Sequence, residues 1–246
     1  MHASFLWRTL SMTNKLNKDN IPTHIAIILD GNRRWAKRKS LPEFKGHEAG
    51  ADNLEKITDE AQKLGVKTLT VWILSTENIK ERAKREILGL FSLMRRGFEV
   101  NLSKMMEKGV RVTILGERKG LPDTIKKIVD QIRKTYIKNE SIKLNIALNY
   151  GGKKELVAAI KDIVKKGIEV DRINEEIVEK HLYTNGISDP ELVIRTGGRS
   201  RLSNFMLWQT GYSELYFTKT LWPDFDKGEL KKAISWYKLQ KRNFGR

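Results

Sequence analysis

The chain has 246 residues, 39% of them hydrophobic, enough for one domain with a substantial buried core. It contains no cysteine, which excludes disulfides, thiolate metal sites and cysteine nucleophiles, and its four histidines (His2, His24, His47, His181) have no zinc-protease spacing. A net charge of +17 implies an anionic partner: nucleic acid, a phosphorylated substrate or an acidic membrane surface. Lysine pairs such as Lys126-Lys127 and Lys165-Lys166 also read as solvated helix faces.

The opening segment, MHASFLWRTLSM, is weakly apolar and lacks a signal-peptide core and cleavage site. No run approaches the roughly 18 apolar residues of a membrane span. Residues 1–20 are therefore expected to be an extension, with Met12 an alternative start, ahead of a cytosolic domain over residues 21–246. Ile25 to Leu29 is an unbroken, β-branched apolar run that predicts a buried parallel strand. Asp30-Gly31-Asn32 turns the chain into a basic, helix-compatible stretch containing Arg33, Arg34, Trp35, Lys37, Arg38 and Lys39. A helix is expected around Gly50–Leu64, closed by Gly65, and a second strand over Val66–Leu74 ends in Ser75-Thr76-Glu77-Asn78. Arg85 to Lys108 predicts a long helix with Ile87, Phe91, Met94, Phe98, Leu102 and Met105 on one stripe; such a stripe is either core or the wall of an apolar tunnel.

Val110–Leu115 is a third strand, followed by a helix from Pro122 to Ile137. The fourth strand, Lys143–Leu148, ends in Asn149-Tyr150-Gly151-Gly152, and Glu155–Lys166 and Ile173–Leu182 are helical. A fifth strand, Leu192–Ile194, ends in Arg195-Thr196-Gly197-Gly198; a short sixth spans Glu214–Phe217, and Asp226–Lys241 is an amphipathic basic helix. The alternation predicts a single α/β domain with a central, mostly parallel six-stranded sheet flanked by helices.

In a parallel sheet the carboxyl ends of the strands share one edge, so four polar clusters can converge there. Asp30 facing a dense set of cations suits a Mg²⁺-bound phosphate; an ordinary turn before a solvated basic helix reads equally well. The segment RTGGRSRLSNF offers two glycines with Arg195, Arg199, Arg201 and Ser203, which fits a second phosphate site or a glycine turn with salt-bridged arginines. Asp30 and Glu214 give one acid near each. There is no Walker motif and no DDxxD, which argues against a nucleotide hydrolase and an all-helical prenyltransferase.

The blocks HIAIILDGNRRWA, GHEAG, LSTEN, LNYGGKKEL, LVIRTGG, RLSNFMLWQ and ELYF followed by LWPDFD resemble, in the same order, those of the cis-prenyltransferases, the family of undecaprenyl and dehydrodolichyl diphosphate synthases. The resemblance runs from about Pro22 to the C-terminus. It implies condensation of isopentenyl diphosphate with an allylic diphosphate (farnesyl or geranylgeranyl), to make a long-chain polyprenyl diphosphate for a membrane lipid carrier. By the same resemblance Asp30 handles Mg²⁺ and diphosphate, Glu214 binds metal, and Gly31, Asn32, Arg33, Arg34 and His47 cradle the allylic diphosphate beside Trp35. Arg195, Arg201 and Ser203, with Leu202, match the isopentenyl diphosphate site. Ser75, Thr76, Glu77, Ile79 and Arg82 fall in a substrate-binding block with Asn78, whose neutral amide is a poor base and is expected to orient substrate or relay the proton to phosphate. The long helix, with Trp72, Ile73 and Leu74, would then line the tunnel for the growing chain.

The resemblance also implies a homodimer and peripheral membrane contact for product release. No nucleic-acid signature supports the charge-based alternative. A non-catalytic subunit of a heteromeric synthase is the remaining alternative, and such subunits typically lose the aspartate and phosphate blocks retained here. Four departures stand out: Glu43 where bacterial members often carry arginine, Arg33 for glycine, ENIKERA for ENWxRP, and Arg199-Ser200 for Glu-His.

Overall fold

Every residue of β1 (His24–Ile28) is buried, as an unbroken apolar run in a central parallel strand requires. The computed structural model describes residues 21–81, 83–135, 137 and 139–240; the expected N-terminal extension, Arg82 and Lys241 lie outside the described residues. After β1 the chain forms α1 (Asn32–Arg38), α2 (Glu43–Lys63), β2 (Thr68–Ser75), α3 (Thr76–Glu81) and α4 (Lys84–Glu107). It continues through β3 (Val110–Leu115), α5 (Asp123–Lys134), β4 (Ile142–Tyr150), α6 (Gly152–Lys165) and α7 (Glu175–His181). The last elements are β5 (Leu192–Arg195), β6 (Glu214–Phe217) and α8 (Lys227–Lys238).

All strand pairs are parallel, in the order β3-β4-β2-β1-β5-β6. From β1 the sheet extends on one side through β2, β4 and β3, with β4 inserted between the two strands that precede it in the chain, and on the other through β5 and β6. The crevice between the carboxyl ends of β1 and β5 is therefore the switch point, where open parallel sheets bind ligands. Alternate residues of β1 feed two cores: Ile25 and Ile27 join α2, α4, α5 and α8 on one face, while Ala26 and Ile28 join Tyr150, Phe205 and Met206 on the other.

Three differences from the sequence reading have local causes. Helix α2 begins at Glu43 rather than near Gly50, because its glycines face α1: a Cβ on Gly46 would lie 2.0 Å from the Asn32 carbonyl oxygen, and one on Gly50 2.6 Å from Asn32 Oδ1. Close packing outweighs the low helix propensity of glycine there. The polar residues after β2 form the short helix α3, and the Ser75 hydroxyl accepts the Asn78 N–H at 3.0 Å. Finally, β2 carries register irregularities around Leu74, which interrupt the two-residue alternation. Ile73 and Leu74 consequently join the α4 side, whereas Trp72 stacks on Phe205 on the opposite face, with centroids 5.1 Å apart.

On α4, Ile87, Leu90, Phe91 and Leu102 are buried and Met94, Phe98 and Met105 pack partly buried against the same core. The cavity between α4, β3 and α5 is about 10 Å³, room for about one water. The stripe packs on the sheet face that carries Ile73 and Leu74, whereas Trp72 lies on the opposite face.

A polar seam crosses the sheet at its other end. His24 is fully buried, with Nδ1 2.5 Å from the Ser188 carbonyl oxygen and Nε2 2.7 Å from Thr70 Oγ1, which also accepts Asn145 Nδ2 at 3.1 Å. Burial, opposed by the Ser188 hydrogen bond and the Glu191 charge, lowers its pKa from 6.5 to about 4. The unfolded chain then takes up this proton at a higher pH than the folded one. Stability is expected to fall as pH drops from 6.5 toward 4, by roughly 3 kcal/mol for this group. Urea unfolding of His24→Gln across that window should lack this component of the slope; equal slopes in both proteins would rule His24 out as its source.

Candidate active site

The end of β1 presents Asp30 to the end of β5, because Ile28 and Arg195 are partners in the register. Asp30 Oδ1 accepts from Arg34 Nη2 at 2.9 Å, and Oδ2 accepts from Arg195 Nη2 at 3.0 Å. Arg195, whose side chain is only 7% exposed, also donates through Nη1 to the Arg201 carbonyl oxygen at 2.6 Å and to Ser203 Oγ at 2.7 Å. Arg201 Nε reaches the same hydroxyl at 3.2 Å, and Arg34 Nη1 donates to the Gly197 carbonyl oxygen at 2.6 Å. One acid is thus held between two groups of cations. Among the described residues, the buried Arg195 Nε has no hydrogen-bond partner.

The backbone is fastened around this cluster. Thr196 Oγ1 donates to the Asp30 carbonyl oxygen at 2.7 Å, and Trp222 N–H donates to the same oxygen at 3.1 Å. Trp222 is itself anchored, its Nε1 donating to the Gly50 carbonyl oxygen at 2.8 Å, and Asn53 Nδ2 caps the carbonyls of Trp222 and Phe225 at 2.8 and 2.9 Å. The LWPDFD block is therefore a strap across the end of β1. Gly31, at φ +121°, lies beneath it, with Leu221 atoms 3.0 Å from where a Cβ would stand.

The other expected residues fall around this centre. Asn32 Nδ2 lies 3.5 Å from His47 Nδ1, linking α1 to α2. Arg33 Nε pairs with Glu43 at 2.9 Å, so two of the departures from the bacterial pattern face each other, while Lys45 is engaged by Glu48 at 2.7 Å. Trp35 Nε1 donates to Asp224 Oδ1 at 2.6 Å, and Arg38 pairs with the same carboxylate, which makes Trp35 a fastener of the strap. Glu77 Oε1 accepts from Asn204 Nδ2 at 2.8 Å. Burial acts to raise the pKa of Glu77, but hydrogen bonds from its own N–H, Asn204, Ser75 and Thr76 outweigh it and leave the carboxyl below its usual range. Ile79 packs on the α4-side core and Leu202 on the opposite one.

Glu214 lies away from this centre. It begins β6 and pairs in register with Leu192, while Arg195 pairs with Phe217. Three residues of strand, roughly 10 Å, separate it from the edge that carries Asp30. Among the described residues no group of three His, Cys, Asp or Glu side chains is arranged around a metal position.

Sequence reasoning assigned no role to Thr196, Asn204, Asp224 or Glu155. The last is a buried carboxylate that accepts from Tyr150 Oη at 2.6 Å, Gln209 Nε2 at 3.1 Å and Tyr183 N–H at 2.9 Å, and burial raises its pKa despite those donors. Its position in α6, three residues after Gly152, carried no signal beyond the block itself.

A carboxylate bracketed by guanidinium groups at the switch point of a parallel sheet defines an α/β protein built to hold phosphorylated ligands. The family described as "Putative undecaprenyl diphosphate synthase" matches residues 28–245, and the chain belongs to that prenyltransferase family. The isoprenyl transferase of Oceanobacillus iheyensis is 41% identical over 98% of this chain and 97% of its own length. That of Clostridium tetani is 43% identical over 94% and 92%, respectively. Among solved structures, lavandulyl diphosphate synthase from Lavandula x intermedia, in complex with dimethylallyl diphosphate, is similar with a TM-score of 0.87 and 34% identity, covering 92% of this chain and 99% of that one. A probable undecaprenyl diphosphate synthase from Campylobacter jejuni has a TM-score of 0.77 and 30% identity, covering 92% of this chain and all of that one (100%).

Proposed function

We propose that the protein elongates an allylic diphosphate, farnesyl or geranylgeranyl, with isopentenyl diphosphate to make a long-chain polyprenyl diphosphate that serves as a lipid-carrier precursor. The observation that carries this reading is Asp30 held between Arg34 on α1 and Arg195 on β5: one acid joins two cation groups, each suited to one diphosphate. On the α1 side Arg34, with Asn32 and His47, would bind the allylic diphosphate. On the β5 side Arg195, Arg201 and Ser203 would bind isopentenyl diphosphate.

In each condensation the terminal methylene of isopentenyl diphosphate forms a bond to the allylic carbon. The allylic C–O bond breaks, diphosphate leaves with the electron pair, and a proton leaves the methylene next to the resulting cationic carbon, its C–H electrons forming the new double bond between those two carbons. The arginines act where negative charge grows on the leaving oxygen. Asn78, with its N–H on Ser75, would orient the isopentenyl group, and a phosphate oxygen would receive the proton.

The donor set fits Mg²⁺ in one respect: Asp30 is a single carboxylate beside an anion site, and Mg²⁺ is commonly held by one or two carboxylates plus substrate phosphates and water. Asp30 would hold it, and when bound it would neutralise charge on the leaving diphosphate. The α4 stripe, with Ile73 and Leu74 on the same face of the sheet, would line the path of the growing chain.

A homodimer is part of the proposal. The outer face of α6 exposes Val157, Ile160 and Val164 (48%, 57% and 72%) at helical spacing, and β6 is an edge strand. Ile160→Glu is expected to shift sedimentation toward a monomer; an unchanged species would remove this face from the interface. No helix among the described residues is long and apolar enough to cross a membrane. Peripheral contact through the basic surface would serve product release.

The test is incorporation of radiolabelled isopentenyl diphosphate into extractable lipid with Mg²⁺ and a series of allylic starters. A polyprenyl product supports the reading and gives starter preference and chain length together. No product with any starter would favour the non-catalytic subunit reading.

A further inference from the structure

We propose that Asn204 is a positioning residue that aims the Ser203 hydroxyl at a bound diphosphate, and that Glu77 is its anchor rather than a substrate contact. The inference rests on the reading of Arg195, Arg201 and Ser203 as a diphosphate site.

A serine hydroxyl has two lone pairs and one hydrogen. The Ser203 oxygen accepts from Arg195 Nη1 at 2.7 Å and from Arg201 Nε at 3.2 Å, so both lone pairs are taken by cations. Its hydrogen is then the one part left to give, on an oxygen polarised by two guanidinium groups, and Ser203 is exposed. The natural acceptor is an anionic oxygen entering the cradle. Where that hydrogen points depends on the backbone at Ser203.

That backbone is unusual. Ser203 (φ +52°), Asn204 (φ +73°) and Met206 (φ +44°) are all left-handed, none of them glycine, a conformation that persists only where surrounding contacts enforce it. Asn204 supplies those contacts. Its Oδ1 accepts the Lys153 N–H at 2.8 Å, its carbonyl oxygen accepts the Gly152 N–H at 2.7 Å, and its Nδ2 donates to Glu77 Oε1 at 2.8 Å. Below it, Phe205 and Met206 are buried. Gly151 leaves the space: a Cβ there would lie 2.9 Å from Asn204 Nδ2 and 2.8 Å from Thr76 Oγ1. Asparagine tolerates left-handed backbone and has an amide short enough to bridge α3 to the start of α6. The Glu77 carboxylate, spent on Asn204, is poorly placed to meet a diphosphate, which it would also repel.

The test reverses one hydrogen bond. Asn204→Asp places a carboxylate against Glu77, and adding Glu77→Gln restores a donor in the opposite sense. Asn204→Asp is expected to raise the KM for isopentenyl diphosphate about tenfold, with the KM for the allylic diphosphate nearly unchanged, and the double variant should recover most of the loss. Asn204→Gly keeps the left-handed backbone accessible while deleting the side-chain bonds, and should show the same selective rise if the aspartate variant folds poorly. Calorimetric titration with isopentenyl diphosphate reads the same order of affinities without turnover. A wild-type protein that binds or turns over isopentenyl diphosphate while all variants match it overturns the role of Asn204 alone. Equal rises for both substrates, or no recovery in the double variant, do the same. A wild type that neither binds nor turns over isopentenyl diphosphate overturns the reading of the site itself.

Discussion

Asp30→Ala is expected to lower the rate of isopentenyl diphosphate incorporation by about 10³-fold or more. The side chain does two things that alanine cannot. It keeps Arg34 and Arg195 at fixed positions through bonds of 2.9 and 3.0 Å, and in the proposed reaction it would hold Mg²⁺ beside the leaving diphosphate. Removing it also leaves the Arg195 guanidinium, 7% exposed, without its counter-charge, a change that destabilises buried pairs by about 3–5 kcal/mol. Here the cost should be lower, because Arg195 keeps the Arg201 carbonyl and Ser203 hydroxyl as partners. Asp30→Asn separates the two effects: it retains the shape and one acceptor, so stability should fall less while the rate falls comparably. Steady-state kinetics at saturating substrates and Mg²⁺, beside thermal unfolding, distinguish them. An alanine variant that keeps more than about a tenth of the wild-type rate would take Asp30 out of the chemistry, since loss of even one charge-stabilising donor typically costs more.

The sheet was legible because its central strands are buried on both faces and so appear as apolar runs, Ile25 to Leu29 most clearly. The Asp30 and Arg195 clusters were legible because turn residues mark strand ends, and parallel strands put those ends on one edge. What failed to show in the sequence depends on contacts between distant segments. Gly46 and Gly50 look like helix breakers until Asn32 is seen against them. Trp72 and Leu74 share a face by counting alone, and only the irregular register of β2 sends them apart. The place of Glu214 at the amino end of β6 follows from strand pairing, not from block order. The pairing of Arg33 with Glu43 turns two separate departures into one compensated exchange of charge, which no inspection of either residue would reveal.

Gly197→Ala should cost about 10²-fold in activity, the scale of an ångström-sized misplacement in an active site, while the neighbouring Gly198→Ala leaves activity nearly intact. Both glycines are left-handed, at φ +83° and +73°, so alanine at either adds about 1–2 kcal/mol of backbone strain. Their surroundings differ. A Cβ on Gly197 would lie 2.5 Å from Arg34 Nη2 and 2.9 Å from the Asp30 carbonyl oxygen, whereas one on Gly198 finds nothing nearer than Lys219 Cα at 3.7 Å. The Arg34 side chain can swing aside, but doing so breaks its bonds to Asp30 and to the Gly197 carbonyl oxygen. The backbone at Asp30 is less free to yield, because Thr196 and Trp222 hold the same carbonyl oxygen. The methyl group therefore loosens the link between the two cation groups whichever way it is accommodated. Thermal destabilisation of both variants, larger for Gly197→Ala, with the rate loss and a raised allylic KM confined to Gly197→Ala, is the expected pattern. Equal activity losses would assign the effect to backbone strain, and the close approach of β5 to Arg34 would then have no part in catalysis.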